Sequence, residues 1–448
     1  MELTRAIELL PGQSLAFVGA GGKTSAMFAL AKLLHSPVVL TTTTHIGTWQ
    51  TDLADEHLLL KPGETIPELN FSKGPILLVT GQPGEDDRLS GLDKDALEAL
   101  HSLCKAQNFP LLIEADGARQ RNLKAPADYE PNLPDWIERV VVIAGLASLG
   151  KPLIPENVHR PERFAALTGL RSGDLIRVED IVFVLQSEQG GLKGIPPAAQ
   201  RMLFLNQAEG AERQAQAVRI ARTLIPYYDR VMIGSLKASQ PDDVISYVRA
   251  QTAGIILAAG GSQRLGRPKQ LLNWQGVPFI RCVAQNALEA GLEPLVVVTG
   301  ADSEQIEEVI SDLPVIFVNN IEWQSGMSSS MKAGLSALPE TCDSAMFLLA
   351  DQPQISPHLI SQLLERYAKN RASITAPRVN DRRGNPVLFS RKTFKALLAV
   401  TGDQGGRAVF NQFEVDWLPW MDARILMDVD EPGDEQALLD AYFHCENK

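Results

Sequence analysis

Residues 255–269 constrain the fold more than any other stretch. Three consecutive aliphatics, Ile255-Ile256-Leu257, run straight into Ala258-Ala259-Gly260-Gly261-Ser262-Gln263-Arg264-Leu265-Gly266-Arg267-Pro268-Lys269. An apolar run this short, closed by a glycine- and serine-rich segment, predicts a buried strand that opens onto a loop. In open α/β sheets such loops at strand ends bind ligands. Glycines at 260 and 261 allow the backbone N–H groups to come close to a polyphosphate. Arg264, Arg267 and Lys269 supply positive charge where a displacement at phosphorus builds negative charge. The dinucleotide spacing GxGxxG is absent, and so is a Walker GK[ST] ending, which leaves a phosphate loop of another kind.

A second strand and glycine loop stand near the start of the chain. Ser14–Val18 leads into Gly19-Ala20-Gly21-Gly22-Lys23-Thr24-Ser25, and residues 27–35 then follow with helical spacing. Strand, glycine loop ending in Lys-Thr, then helix is a P-loop-like layout, shortened because Phe17 stands where a full loop has its first glycine. In that reading Lys23 reaches terminal phosphates and Thr24 holds magnesium. Asp116, with Glu114 beside it, ends the apolar run 110–113, where a metal-binding or water-orienting carboxylate is expected. The hydroxyl cluster Thr41–Thr44 closes another strand, and Asn206-Gln207-Ala208-Glu209 follows a further one.

At 448 residues the chain predicts two or three domains, and 45% hydrophobic with 21% charged residues is enough to build their cores. The segment 242–250 reads as helix, and the boundary falls at Gln251, giving domains 1–250 and 251–448. The expected class is α/β throughout, with a P-loop-like parallel-sheet domain followed by a Rossmann-like domain. A net charge of −12 argues against nucleic acid or an anionic membrane surface as partner. Four widely spread cysteines indicate neither a zinc site nor a disulfide framework. Without a signal-peptide core or a membrane-length apolar run, a soluble cytoplasmic protein is expected.

The string Leu-Ala-Ala-Gly-x-Ser-x-Arg-x-Gly-x-Pro-Lys-Gln-Leu-Leu from Leu257 to Leu272 resembles the signature of the MobA-like nucleotidyltransferases. Within them it is most similar to the molybdenum cofactor cytidylyltransferases of the MocA type. The resemblance implies transfer of CMP from CTP to the phosphate of molybdopterin cofactor, with Mg²⁺ and release of pyrophosphate. It implies nucleotide contacts at Leu257, Ala258, Ala259, Gly260, Gly261 and Lys269, with base and ribose contacts at Ser328, Ser329 and Ser330. Arg264, Lys269 and Asp351 take catalytic roles. Asp351 and Asp430, the latter preferred to Asp428, bind the metal. Gly384, Asn385, Pro386 and Arg407 lie in loops resembling those on the acceptor side. Two other readings remain open: transfer to a sugar or alditol phosphate, and a cofactor-binding chaperone that does no chemistry.

Residues 1–235, through VGAGGKT, the threonine cluster, EADGAR, GLKG and LNQAE, resemble the YqeC-type accessory proteins of selenium-dependent molybdenum hydroxylases. That likeness implies a nucleotide-binding maturation role, and the loop layout, the strand-end carboxylate and the Asn206 segment give Gly19, Gly21, Gly22, Lys23, Thr24, Asp116 and Asn206 as the expected contacts. GTP and ATP are the candidate nucleotides, and a molybdenum hydroxylase apoenzyme is a candidate partner.

Overall fold

The computed structural model describes residues 1–84, 87–262, 265–340, 342–429, 431 and 433–443. Arg264 and Asp430, both expected in the site, lie outside the described residues. The chain divides into two compact units, Met1–Arg249 and Ala250–Lys448.

The first unit is built on a nine-stranded sheet. In chain order its strands are β1 (Ser14–Gly19), β2 (Val38–Thr42), β3 (Glu56–Leu59), β4 (Ile76–Thr80), β5 (Leu111–Glu114), β6 (Arg139–Gly145), β7 (Gln200–Asn206), β8 (Arg230–Gly234) and β9 (Ile245–Ala250). Across the sheet they run β9-β8-β7-β6-β1-β5-β2-β4-β3. β1 sits in the middle, parallel to β5 and β6. Strands buried on both faces carry near-continuous apolar runs, as in Val140–Ala144 and Leu111–Ile113. Helix α1 (Lys23–Leu34) packs Ala26, Met27, Leu30 and Ala31 into a cluster with Phe17, Leu40 and Leu112.

Residues 245–250 form β9, not the helix expected over 242–250. Ile245, Tyr247 and Val248 are buried, and β-branched and aromatic residues of this kind favour a pleated edge over a helix.

The second unit has a mixed eight-stranded sheet: β10 (Thr252–Leu257), β11 (Leu295–Thr299), β12 (Val315–Asn319), β13 (Ser344–Leu349), β14 (Ile374–Val379), β15 (Arg382–Arg383), β16 (Val387–Ser390) and β17 (Val415–Pro419). The order is β12-β11-β10-β13-β16-β14-β15, with β17 paired to β14. β10, β11, β12 and β13 are parallel, whereas β16 runs antiparallel to β13 and β14. Side chains alternate faces along each strand. Ile256 and Val297 therefore pack with α2 (Phe279–Glu289) and α4 (Pro357–Asn370), while Ile255 and Val298 pack beside Met331 of α3 (Met327–Ser336). Both faces are covered, and the strand ends of β10, β11 and β13 are left to carry loops. Among the described residues no helix is long and apolar enough to cross a membrane.

Candidate functional sites

In the second unit the loop after β10 is fastened by Gln270, a residue given no role on sequence grounds. Its Nε2 donates to the carbonyls of Ala258 (3.1 Å) and Gly260 (2.8 Å), and the side chain is buried. Ser262 Oγ accepts from the backbone N–H of Lys269 at 3.0 Å, closing the loop on itself. The two glycines differ in why they are needed. A Cβ on Gly261 would meet the Trp323 ring at 2.9 Å, whereas one on Gly260 would meet nothing within 4 Å. The close approach at Gly261 is thus to the protein itself, and the open face at Gly260 is where a ligand backbone contact is free to form.

Lys269 donates its ammonium to the carboxylate of Asp351, which stands just past the end of β13. The following residue, Gln352, donates from Nε2 to Asp428 Oδ1 at 2.5 Å, while its buried Oε1 has no hydrogen-bond partner. Strand β10 pairs with β13 in register Leu257↔Leu349, which delivers the loop and Asp351 to one edge of the sheet. Of the two carboxylates near the C-terminus, Asp428 is the one described, and it lies against Gln352. Asp351 and Asp428 are hard oxygen donors, and magnesium is commonly held by one or two carboxylates plus phosphate oxygens and water. Their chemistry fits that ion. Among the described residues no group of three or more His, Cys, Asp or Glu side chains could hold a metal without a ligand's help.

The serines lie on the first turn of α3, whose N-cap is Gly326 with φ 106°. Asn320 Nδ2 donates to Ser329 Oγ (2.8 Å) and Ser330 Oγ (3.0 Å), so two of the three hydroxyls are oriented by one amide. Ser328 is buried beside them. The start of α3 is held from a distance by Asp403, whose Oδ1 accepts from the Met327 N–H at 3.2 Å. Asp403 belongs to the same segment, Gly402–Val409, as Arg407. On the neighbouring hairpin, Arg383 lies 4.7 Å over the Phe410 ring, and burial together with the charge of Arg407 lowers its pKa. Gly384 packs under Ile425, where a Cβ would come within 2.6 Å, and Asn385–Pro386 leads into β16.

In the first unit the glycine loop bends through φ 93° at Gly19, 95° at Gly21 and 125° at Gly22 before α1 begins at Lys23. Side chains cannot follow it there: a Cβ on Gly19 would lie 2.3 Å from the Ile143 carbonyl. Lys23 is buried and turned inward. Its Nζ donates to Gly19 O at 2.8 Å and stands 3.2 Å from Asp116 Oδ1 and 3.8 Å from Glu114 Oε1. Thr24 Oγ1 donates to Glu114 Oε2 at 2.6 Å. Asp116 Oδ2 accepts from the Gly19 N–H (3.0 Å) and from Lys124 (2.8 Å). Lys124 also donates to Glu130 (2.8 Å), and Arg160 grips both oxygens of Glu130 at 2.6 and 3.1 Å. Charges of alternating sign thus run from Lys23 through Asp116, Lys124 and Glu130 to Arg160.

Burial raises the pKa of Glu114 against the opposing pull of Lys23 and Thr24. Burial would raise Glu130 as well, but the Arg160 hydrogen bonds and the Lys124 charge outweigh it and hold the group at about 2. His159 is pushed down to about 4 by burial and by Arg160 and Lys124, which keeps its ring neutral. Asn206 is spent on the loop itself: Nδ2 donates to Gly21 O at 2.6 Å and Oδ1 accepts from the Leu236 N–H at 3.0 Å. Of the threonine cluster, Thr42 donates to the Glu114 carbonyl, and Thr43 and Thr44 face a cleft of about 1510 Å³ that also receives Lys23, Thr24 and Asn206.

Sequence reasoning had no signal for Lys124, Glu130 or Arg160 as site residues, and it gave Gln270 no role although that residue stands in the Leu257–Leu272 string. Gln270 follows Lys269 directly, and only the path of the loop shows what its amide reaches.

A family model described as MobA-like NTP transferase domain matches residues 254–416, and one described as YqeC protein matches residues 15–162. Over 215 residues the chain is 31% identical to the uncharacterized protein YqeC of Escherichia coli (strain K12), spanning 46% of this chain and 81% of that one. Over 176 residues it is 34% identical to nicotine blue oxidoreductase of Paenarthrobacter nicotinovorans, spanning 38% and 83%. Over 141 residues it is 30% identical to a probable molybdenum cofactor guanylyltransferase of Bacillus mycoides (strain KBAB4), spanning 31% and 67%.

Proposed function

Since the chain belongs to the YqeC family through its first unit and to the MobA-like NTP transferase family through its second, we propose that it is a molybdopterin nucleotidyltransferase fused to a nucleotide-binding accessory unit. The donor in this reading is CTP, and the transferred group is CMP. An ionised phosphate oxygen of the molybdopterin cofactor attacks the α-phosphorus in line, the bond to the β-phosphate oxygen breaks, and pyrophosphate leaves with the electron pair. The acceptor is already an anion, so no side chain has to take up a proton.

The observation that carries the proposal is the Lys269–Asp351 pair at the mouth of the glycine loop. It stores a cation and a carboxylate side by side, where each can turn to an arriving nucleotide. Lys269 then faces the phosphate charge that grows in the transition state, and the Gly260 backbone lies open beside it. Asp351 and Asp428 would hold magnesium, which when bound neutralises the triphosphate. In the order read from sequence Asp430 supplies that second carboxylate. Ser328, Ser329 and Ser330, set by Asn320, bind the nucleoside, and Gly384, Asn385, Pro386 and Arg407 receive the acceptor. Arg264 adds charge to the loop.

The preference for CTP rests on Ala259, where the resemblance to guanylyl-transferring relatives has glycine. Its methyl packs under Gly300, where an added Cβ would approach to 2.9 Å. Product delivery to a molybdenum hydroxylase apoenzyme in the cytoplasm completes the role. In the first unit, Gly19, Gly21, Gly22, Lys23, Thr24 and Asp116 bind GTP or ATP in a P-loop-like manner, with Asn206 bracing the loop.

Pyrophosphate release by the purified chain, with molybdopterin cofactor and Mg²⁺, tests the transferase. Release with CTP that needs the acceptor is expected. Release with GTP alone would overturn the cytidylyl assignment, and no release with any nucleotide would overturn the transfer reaction.

A further inference from the structure

The cleft of the first unit is larger than its glycine loop requires. Its volume of about 1510 Å³ exceeds the roughly 300–1,000 Å³ of an ordinary small-molecule site. Phosphates resting on Lys23 and Thr24 would occupy only the floor.

The rest of the lining has a distinct chemistry. Trp49, on the short 3-10 turn Thr48–Leu53, is 62% exposed, and Tyr129 is 78% exposed with Arg160 6.0 Å over its ring. Flat aromatic side chains left open in a concave site are platforms for another ring. Around them, Arg88, Arg119 and Lys237 are exposed and have no ion pair among the described residues. Counting the described lining alone, six Lys and Arg side chains face three carboxylates, in a chain whose net charge is −12. Arg119 and Gln120 hold two successive left-handed conformations, φ 45° and 59°. Such strain in non-glycine residues concentrates where a loop is shaped for a ligand.

We infer that this cleft binds a heteroaromatic compound bearing a phosphate or polyphosphate, with its anionic end on Lys23 and Thr24 and its ring on Trp49. Arg88, Arg119 and Lys237 gather the remaining charge. The inference deepens the nucleotide-binding reading of the first unit and leaves the transferase reading of the second untouched. Two sources share this chemistry, a nucleotide and a phosphorylated pterin.

The test is calorimetric titration of the full-length chain carrying Lys269→Ala and Asp351→Ala, so that the second unit contributes least. The probes are ATP, GTP, CTP, a pterin monophosphate and inorganic tripolyphosphate, each with Mg²⁺. One-to-one binding of a ring-bearing probe is expected, tighter than tripolyphosphate, and whichever class binds identifies the source. Trp49→Ala and Arg119→Glu should each weaken it about tenfold. Placed in the otherwise unaltered chain, Trp49→Ala should leave pyrophosphate release unchanged. Binding that Thr24→Val weakens but Trp49→Ala and Arg119→Glu do not would overturn the inference while the nucleotide-binding reading stands. Ring-bearing probes binding no tighter than tripolyphosphate would overturn it too. Failure of every probe to bind would overturn both.

Discussion

Lys269 and Asp351 are joined by an ion pair across 82 positions of sequence, one from the glycine loop and the other from the end of a neighbouring strand. The pair is partly shielded from water, so neither member is dispensable without consequence for the other. Lys269→Ala leaves a lone carboxylate facing the triphosphate and removes the cation that offsets transition-state charge. We expect pyrophosphate release about a hundred- to a thousandfold slower. Asp351→Ala should abolish release while the circular dichroism spectrum stays that of the parent. A rate within a fewfold of the parent for either variant would refute the assignment.

Gln270→Leu replaces a donor to two carbonyls with an apolar side chain of similar size. Ala258 O loses its partner in a buried place and Gly260 O in a partly buried one, at a cost of about 1–3 kcal/mol in unfolding free energy. Because the loop loses its fastening, the KM for nucleotide should rise more than kcat falls. Urea unfolding and steady-state kinetics together separate this from a plain loss of stability.

Glu130 carries a pH signature. Its carboxyl is held at about 2 in the folded protein, against an ordinary value of 4.5. The folded state therefore binds fewer protons than the unfolded chain between those values. Its stabilisation is complete above about pH 4.5 and is lost as the pH falls towards 2. Glu130→Gln removes that acid dependence, takes the carboxylate away from Arg160 and leaves Lys124 with Asp116 as its one counter-charge, so it should cost about 3–5 kcal/mol at neutral pH. Thermal melts from pH 7 to pH 3 should show a steeper fall for the parent than for the variant.

Asn206 offers a comparison of two substitutions. Asn206→Ala loses the bonds to Gly21 O and from the Leu236 N–H, about 1–3 kcal/mol in total. Asn206→Asp keeps an acceptor for Leu236 but turns a second oxygen towards the Gly21 carbonyl. It should be the more destabilising of the two. If alanine proves worse, the amide is not bracing the loop as described.

The parts of this fold governed by local pattern could be read directly from sequence. Apolar runs such as Ile255–Leu257 and Leu111–Ile113 became strands, and the glycine loops after residues 18 and 257 fell at strand ends. Asp351 was expected at the carboxyl end of an apolar run, and it stands there, just past the strand Ser344–Leu349. Residues 245–250 misled because the spacing of Ile245, Val248 and Arg249 was weighed above the strand preference of Ile245, Tyr247 and Val248. The sheet decided the matter. Lys124, Glu130 and Arg160 were out of reach for a different reason. Their partners lie on separate turns, and each residue alone resembles a surface charge. The ion pairing of Lys23 with Asp116 and Glu114 was out of reach as well, since those carboxylates stand on another strand and its loop, outside the glycine motif.

Asp403 closes the first turn of the helix that carries Ser328, Ser329 and Ser330, and it does so from the segment that carries Arg407. The two loops assigned to different substrates therefore share one mechanical joint. In the proposed function, a substitution selected to change what one loop recognises is expected to shift the other, tying the specificity for donor to that for acceptor.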